Sequence, residues 1–138
     1  MADWLTKVFG QQFVNRESPI DIAPEDNPAS EPEPDVILLR RPTLDDRKSN
    51  PRPSDLRLVV EVSDTTLGFD LTRKVSLYAR AKIVEYWVFD LAGKRLIVHR
   101  DPRAGHYQSI MAYGEQESIA PLAAPDVAFR VGDAFLGV

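Results

Sequence analysis

Two carboxylates far apart in the chain each sit beside an apolar run: Asp35 in "EPEPDVILLRR" and Glu61 in "LRLVVEVSD". A run of the second kind reads as a central strand, and a carboxylate there needs a partner such as a cation. If the two strands pair antiparallel, the start of the Asp35 strand lies beside the end of the Glu61 strand and the two acids meet. Converging carboxylates are what a hard divalent cation takes; magnesium prefers oxygen ligands in a nearly octahedral shell and keeps waters for chemistry. The backbone carbonyl of Val62 offers a further oxygen. Lys74 is a third candidate, able to position or deprotonate an attacking water and to steady charge building on a phosphate. Each residue also has a plainer reading: Glu61 turned to water beside Arg57, Asp35 as a loop-end aspartate after proline, and Lys74 in a surface ion pair with Asp70.

The elements that must position these groups follow from pattern. Residues 23–34 and 42–54 are polar and proline-punctuated and read as loops. Residues 35–41 read as a strand, and alternation in the next strand puts Leu58, Val60 and Val62 on one face and Arg57, Val59, Glu61 and Ser63 on the other. From Gly68 the period changes, with Leu71, Val75, Tyr78 and Ile83 marking an amphipathic helix that Thr65 or Thr66 could cap. On it Lys74 shares a face with Asp70 and Tyr78, and its side chain leans toward the end of the Glu61 strand. "VEYWVFDL" reads as a strand, "AGK" as a turn, "RLIVHR" as its hairpin partner, "GHYQSIMAY" as a further strand, and "DVAFRVGDAFLGV" as a short strand and packing end. In this reading Tyr86, Trp87, Val88 and Phe89 are core residues, Tyr78 packs the helix with a hydrogen-bonded hydroxyl, and Glu85 and Asp90 are ordinary strand-end charges. The order implies a single domain over residues 1–138: an α/β (α+β) fold with a mixed sheet, one crossover helix joining parallel strands, and C-terminal hairpin strands.

Composition narrows the classes. The chain has 138 residues, no cysteine and a formal net charge of −4, which excludes disulfides, cysteine-based zinc or redox schemes, and bulk electrostatic coating of nucleic acid. His99 and His106 are the only histidines, too few for a zinc cluster. No apolar run is long enough for a membrane span, and "MADWLTKVFG" lacks the pattern of a signal peptide, so the expected location is cytoplasmic. Acidic residues Asp21, Glu25, Asp26, Glu31, Glu33 and Asp35 are followed by Arg40, Arg41, Arg47, Lys48, Arg52 and Arg57. That basic segment is either a solvated loop or a phosphate-contacting one.

Read together, "EPEPDV", "LVVEVSDTT", "DLTRKVSLYARA" and "VEYWVFDL" closely resemble the Uma-two-type family of putative restriction endonucleases, a branch of the PD-(D/E)XK nuclease superfamily. The resemblance spans about residues 12–136. It implies a restriction-endonuclease-like mixed sheet and a magnesium-dependent endodeoxyribonuclease, with Mn2+ able to substitute for Mg2+. The proline-aspartate motif falls on Pro34 and Asp35, and the second acid on Glu61. Ser63 stands where the superfamily pattern has lysine, and the lysine moved to the following helix matches Lys74. Asp35, Glu61 and Lys74 are thus the expected catalytic residues, and Asp35, Glu61 and the Val62 carbonyl the expected metal ligands. DNA is the expected substrate and a homodimer the expected assembly. Family members generally have a longer N-terminal region with helices and an additional acidic residue, so the chain reads as shortened. With Ser63, that feature favours the alternative of a catalytically degenerate domain that binds or assembles.

Overall fold

The structure, a computed structural model, describes residues 1–22, 32–42, 50–63 and 67–136, with the side chains of residues 67–71 outside that description. Arg47, Lys48, the Thr65 or Thr66 cap and the Asp70 side chain therefore lie outside the described residues. Six strands form one sheet in the order β1 (Val14–Arg16), β2 (Val36–Leu39), β3 (Leu56–Ser63), β4 (Glu85–Asp90), β5 (Arg95–Arg103) and β6 (His106–Gly114). Neighbours are antiparallel except β3 and β4, which run parallel. A parallel pair cannot be joined by a tight turn. One helix makes the crossover, spanning Leu67–Arg80 as the period change at Gly68 predicts; it is the second helix of the chain, α2.

Every residue of β2 and β4 is buried. Strands apolar on both faces need cover on both, and two separate cores supply it. On one face, Ile37, Val59, Tyr86 and Val88 pack under Tyr78 and Ala79 of α2, with Ile20 and Ile22 beside them. On the other, Leu38, Leu58, Val60, Trp87 and Phe89 pack with Leu5, Phe129 and Val131. Leu5 belongs to a helix ahead of the first strand, α1 (Ala2–Phe9), which adds a second helix to the one expected. Two short strands, β7 (Ser118–Ile119) and β8 (Phe129–Arg130), form a separate pair, followed by a 3-10 turn over Val131–Phe135. Among the described residues, no helix is long and apolar enough to cross a membrane.

The stop of α2 matters because Tyr78 lies in its last turn. Ile83 N–H donates to the Tyr78 carbonyl at 3.1 Å and Lys82 N–H to that of Ala79 at 3.0 Å, with Lys82 in the left-handed region at φ 63°. This is the two-bond helix stop usually built on glycine. Ile83, just beyond it, is fully buried and anchors the turn.

The strand-end charges correct the sequence reading. Glu85 is fully buried and Asp90 nearly so. Asp90 accepts hydrogen bonds from the Gly93 N–H at 3.1 Å and Arg95 Nε at 2.9 Å, which closes the β4–β5 turn. A Cβ at Gly93 would lie 2.5 Å from Asp90 Oδ2, so a larger residue there would push the carboxylate away from its two donors. His99, also buried, meets the Tyr86 carbonyl through Nδ1 at 2.9 Å; a carbonyl only accepts, so Nδ1 carries the proton. Burial holds its pKa below the ordinary histidine value.

Candidate functional site

β2 is shorter than the strand expected over residues 35–41, and its early limit shapes the site. Asp35 sits at a bend just before β2. The β2–β3 register aligns Val36 with Val60, and continuing it sets Asp35 opposite Glu61 and Pro34 opposite Val62. Val62 N–H therefore faces β2. Its partner is the Asp35 side chain, whose Oδ2 accepts that bond at 2.7 Å. A residue in a strand points its N–H and C=O to the same side, so the Val62 carbonyl also faces Pro34, which has no N–H to give it. Consistently, the next carbonyl, that of Ser63, faces the opposite way and accepts from Leu91 N–H at 2.9 Å. The proline-aspartate pair thus ends the ladder beside the carboxylates and leaves a backbone oxygen there.

Glu61 does not turn to water. It is 6% exposed, on the face covered by α2, as alternation with Val59 requires. Tyr86 Oη donates to its Oε2 at 2.6 Å and Tyr78 Oη to its Oε1 at 3.3 Å. Lys74 Nζ lies 3.2 Å from Oε2, with the lysine side chain 44% exposed and the glutamate 8%. The two tyrosine rings meet edge to face at 4.8 Å between centroids. Burial above all, then the charge and hydrogen bond of Glu61, pushes both hydroxyls well above the ordinary tyrosine pKa. They stay donors throughout the accessible pH range. One ammonium and two hydroxyls compensate a carboxylate that would otherwise be costly to bury.

All three expected catalytic groups therefore belong to one end of the sheet: Asp35 before β2, Glu61 near the end of β3, and Lys74 on the crossover helix, in contact with Glu61. Tyr86 was read as core only, and Tyr78 as packing. Their hydroxyls are nonetheless the donors to Glu61. A signal existed in each case: Tyr78 lies four residues after Lys74 on α2, and the parallel register sets Tyr86 beside Val59, on the Glu61 face. Among the basic residues that follow β2, Arg40 is tied back through Nε to the Ser54 carbonyl at 2.9 Å, while Arg41 and Arg52 are exposed.

A divalent cation fits this donor set. Oδ1 of Asp35 has no protein partner among the described residues, and Oε1 of Glu61 has only the long bond from Tyr78. With the Val62 carbonyl these are hard oxygen donors. No group of three or more His, Cys, Asp or Glu side chains suited to a metal occurs among the described residues, so backbone oxygen and water would complete the shell.

No curated protein matches the sequence. Among solved structures, the chain is similar to the crystal structure of a putative nuclease belonging to DUF820 from Anabaena variabilis ATCC 29413, with a TM-score of 0.70 and 13% identity over 97% of this chain and 75% of that one. At that identity the likeness is one of fold. The sequence itself carries the membership: a model of the Uma2 family, described as putative restriction endonuclease, matches residues 1–132, and the chain belongs to that family.

Proposed function

We propose that the protein hydrolyses phosphodiester bonds of DNA with a divalent cation, Mg2+ or Mn2+, held by Asp35, Glu61 and the Val62 carbonyl. The observation carrying this reading is a buried Glu61, fixed by Tyr86, Tyr78 and Lys74 and set by strand register opposite Asp35. A bound cation would supply a Lewis acid that lowers the pKa of a water and offsets phosphate charge. The chain's own residues do the rest. Tyr78 and Tyr86 fix the rotamer of Glu61, so its oxygens need no reorganisation when charge develops. Lys74 keeps one side of its ammonium on Glu61, while its partial exposure leaves room for a phosphate oxygen or the attacking water. Arg41 and Arg52 hold the DNA backbone without reading bases. Cutting both strands of a duplex calls for two such sites, and hence for a pair of copies.

Nicking of supercoiled plasmid tests the reading. Cleavage is expected with Mg2+ or Mn2+ and is lost with a chelator. Lys74→Ala is expected to slow it by about 10²-fold with the fold retained, because Tyr78 and Tyr86 still donate to the Glu61 it leaves behind. Cleavage that ignores the chelator, or full activity in the variant, contradicts it. Two observations favour a second reading, a DNA-binding module without chemistry: Glu61 already has three protein donors, and Ser63 stands where the superfamily pattern has lysine. Retention of DNA with no cleavage under any metal would select it.

A further inference from the structure

We infer that β6 is the surface on which a second copy of this chain docks, by antiparallel pairing of the two β6 edges into one continuous sheet. This names the interface of the paired assembly proposed above. It stands or falls separately from the metal chemistry, because β6 lies three strands away from β3.

The two edges of the sheet are built differently. β1 has three residues, ends in Arg16 and is followed by Glu17, a short and charged edge. Such edges resist pairing with another chain. β6 runs for nine residues, His106–Gly114, and has no proline, lysine, arginine or acid within it. Gln108, Ser109, Ile110, Met111 and Ala112 are all exposed in succession, so neither sheet face is covered there. Ile110 and Met111 are 55% and 54% exposed and point to opposite faces. A long, uncharged edge with apolar groups on both faces is what other edges are built to avoid, and, short of Gly114, whose N–H and C=O are taken by Glu117, it presents a row of backbone N–H and C=O groups on its open side. The lack of cations excludes a nucleic-acid backbone as its natural occupant.

Ile110 is the midpoint of β6, and antiparallel pairing centred on it is self-complementary. Ile110 meets its own counterpart, Met111 meets Ser109 of the other copy, and Ala112 meets Gln108. No like charges face each other along the strand. Antiparallel pairing sets the neutral Arg103–Asp101 pair of one copy near Glu115 and Glu117 of the other, so no acid meets an uncompensated acid there. The two-fold axis stands perpendicular to the sheet, so both Glu61 sites face the same side.

Sedimentation of the full chain over a concentration series tests this. Wild type is expected to dimerise. Ile110→Lys and Ile110→Glu, each placing like charges across the axis, are expected to raise the dimer Kd by at least about tenfold with unchanged far-UV circular dichroism. An equimolar mixture of the two variants is expected to restore pairing, since lysine then faces glutamate. A wild-type chain that is monomeric at every concentration overturns the proposal and leaves the edge to a partner of different sequence. Unchanged dimerisation in both variants overturns it by placing the interface elsewhere, and failure of the mixture overturns the register. Plasmid nicking reads the metal chemistry independently of all three results.

Discussion

Glu61→Gln is expected to lower metal-dependent nicking of plasmid DNA by about 10²- to 10³-fold, the scale of losing one preorganised electrostatic group at a reacting centre. The protein should remain folded. The amide keeps an oxygen to accept the Tyr86 hydroxyl, which sits 2.6 Å from Oε2, and the lost pair with half-exposed Lys74 is worth little to stability. Glu61→Ala separates the two roles of this carboxylate. It should abolish cleavage and also destabilise the fold, because the buried hydroxyls of Tyr78 and Tyr86 lose their acceptor at about 1–3 kcal/mol for each unsatisfied group. Nicking rates and urea midpoints measured on both variants check this. A Glu61→Gln protein with wild-type cleavage would remove Glu61 from the chemistry and leave it a structural acid.

Arg100→Ala is expected to lower stability by about 3–5 kcal/mol, a larger loss than Lys74→Ala or Glu61→Gln produces. Glu85, fully buried, accepts from Arg100 Nε at 2.8 Å, Trp87 Nε1 at 2.7 Å and Leu122 N–H at 2.9 Å. Arg100 further donates to the Ala120 carbonyl at 2.6 Å. This network joins β4 and β5 to the segment that connects β7 to β8. Without the guanidinium, Glu85 keeps two neutral donors for a buried charge, and the segment loses one of its two ties. Such a loss is a large fraction of the roughly 5–15 kcal/mol that holds a domain folded. Pairing Arg100→Met with Glu85→Gln should recover most of it, since the uncompensated charge is then gone. Urea denaturation of the single and double variants decides the point; equal midpoints for wild type and Arg100→Ala would contradict it.

The parts of the fold that read directly from the chain are those set by period. Alternation grouped Glu61 with Val59 on one face, and the change of period after Gly68 located α2 and leaned Lys74 toward the strand end. The β4–β5 hairpin followed from its turn residues, and β6 from its own strand pattern. What stayed hidden depends on tertiary meeting. Tyr86 looks like core because its ring is core; its hydroxyl finds Glu61 only once the crossover makes β3 and β4 parallel. Glu85 and Asp90 look like solvent charges at strand ends until the C-terminal segment and the β4–β5 turn fold over them. α1 has eight residues and no side-chain cap, so it holds through tertiary contacts such as Leu5 more than through local signals.

Asp35 and Glu61 are proposed to hold one cation between them, and a crystal soaked in manganese decides the matter. An anomalous peak bridged by Asp35, Glu61 and the Val62 carbonyl is expected, with that peak absent from crystals of Glu61→Gln. Asp35 and Glu61 facing apart in the soaked crystal, with the ion elsewhere or nowhere, would contradict it.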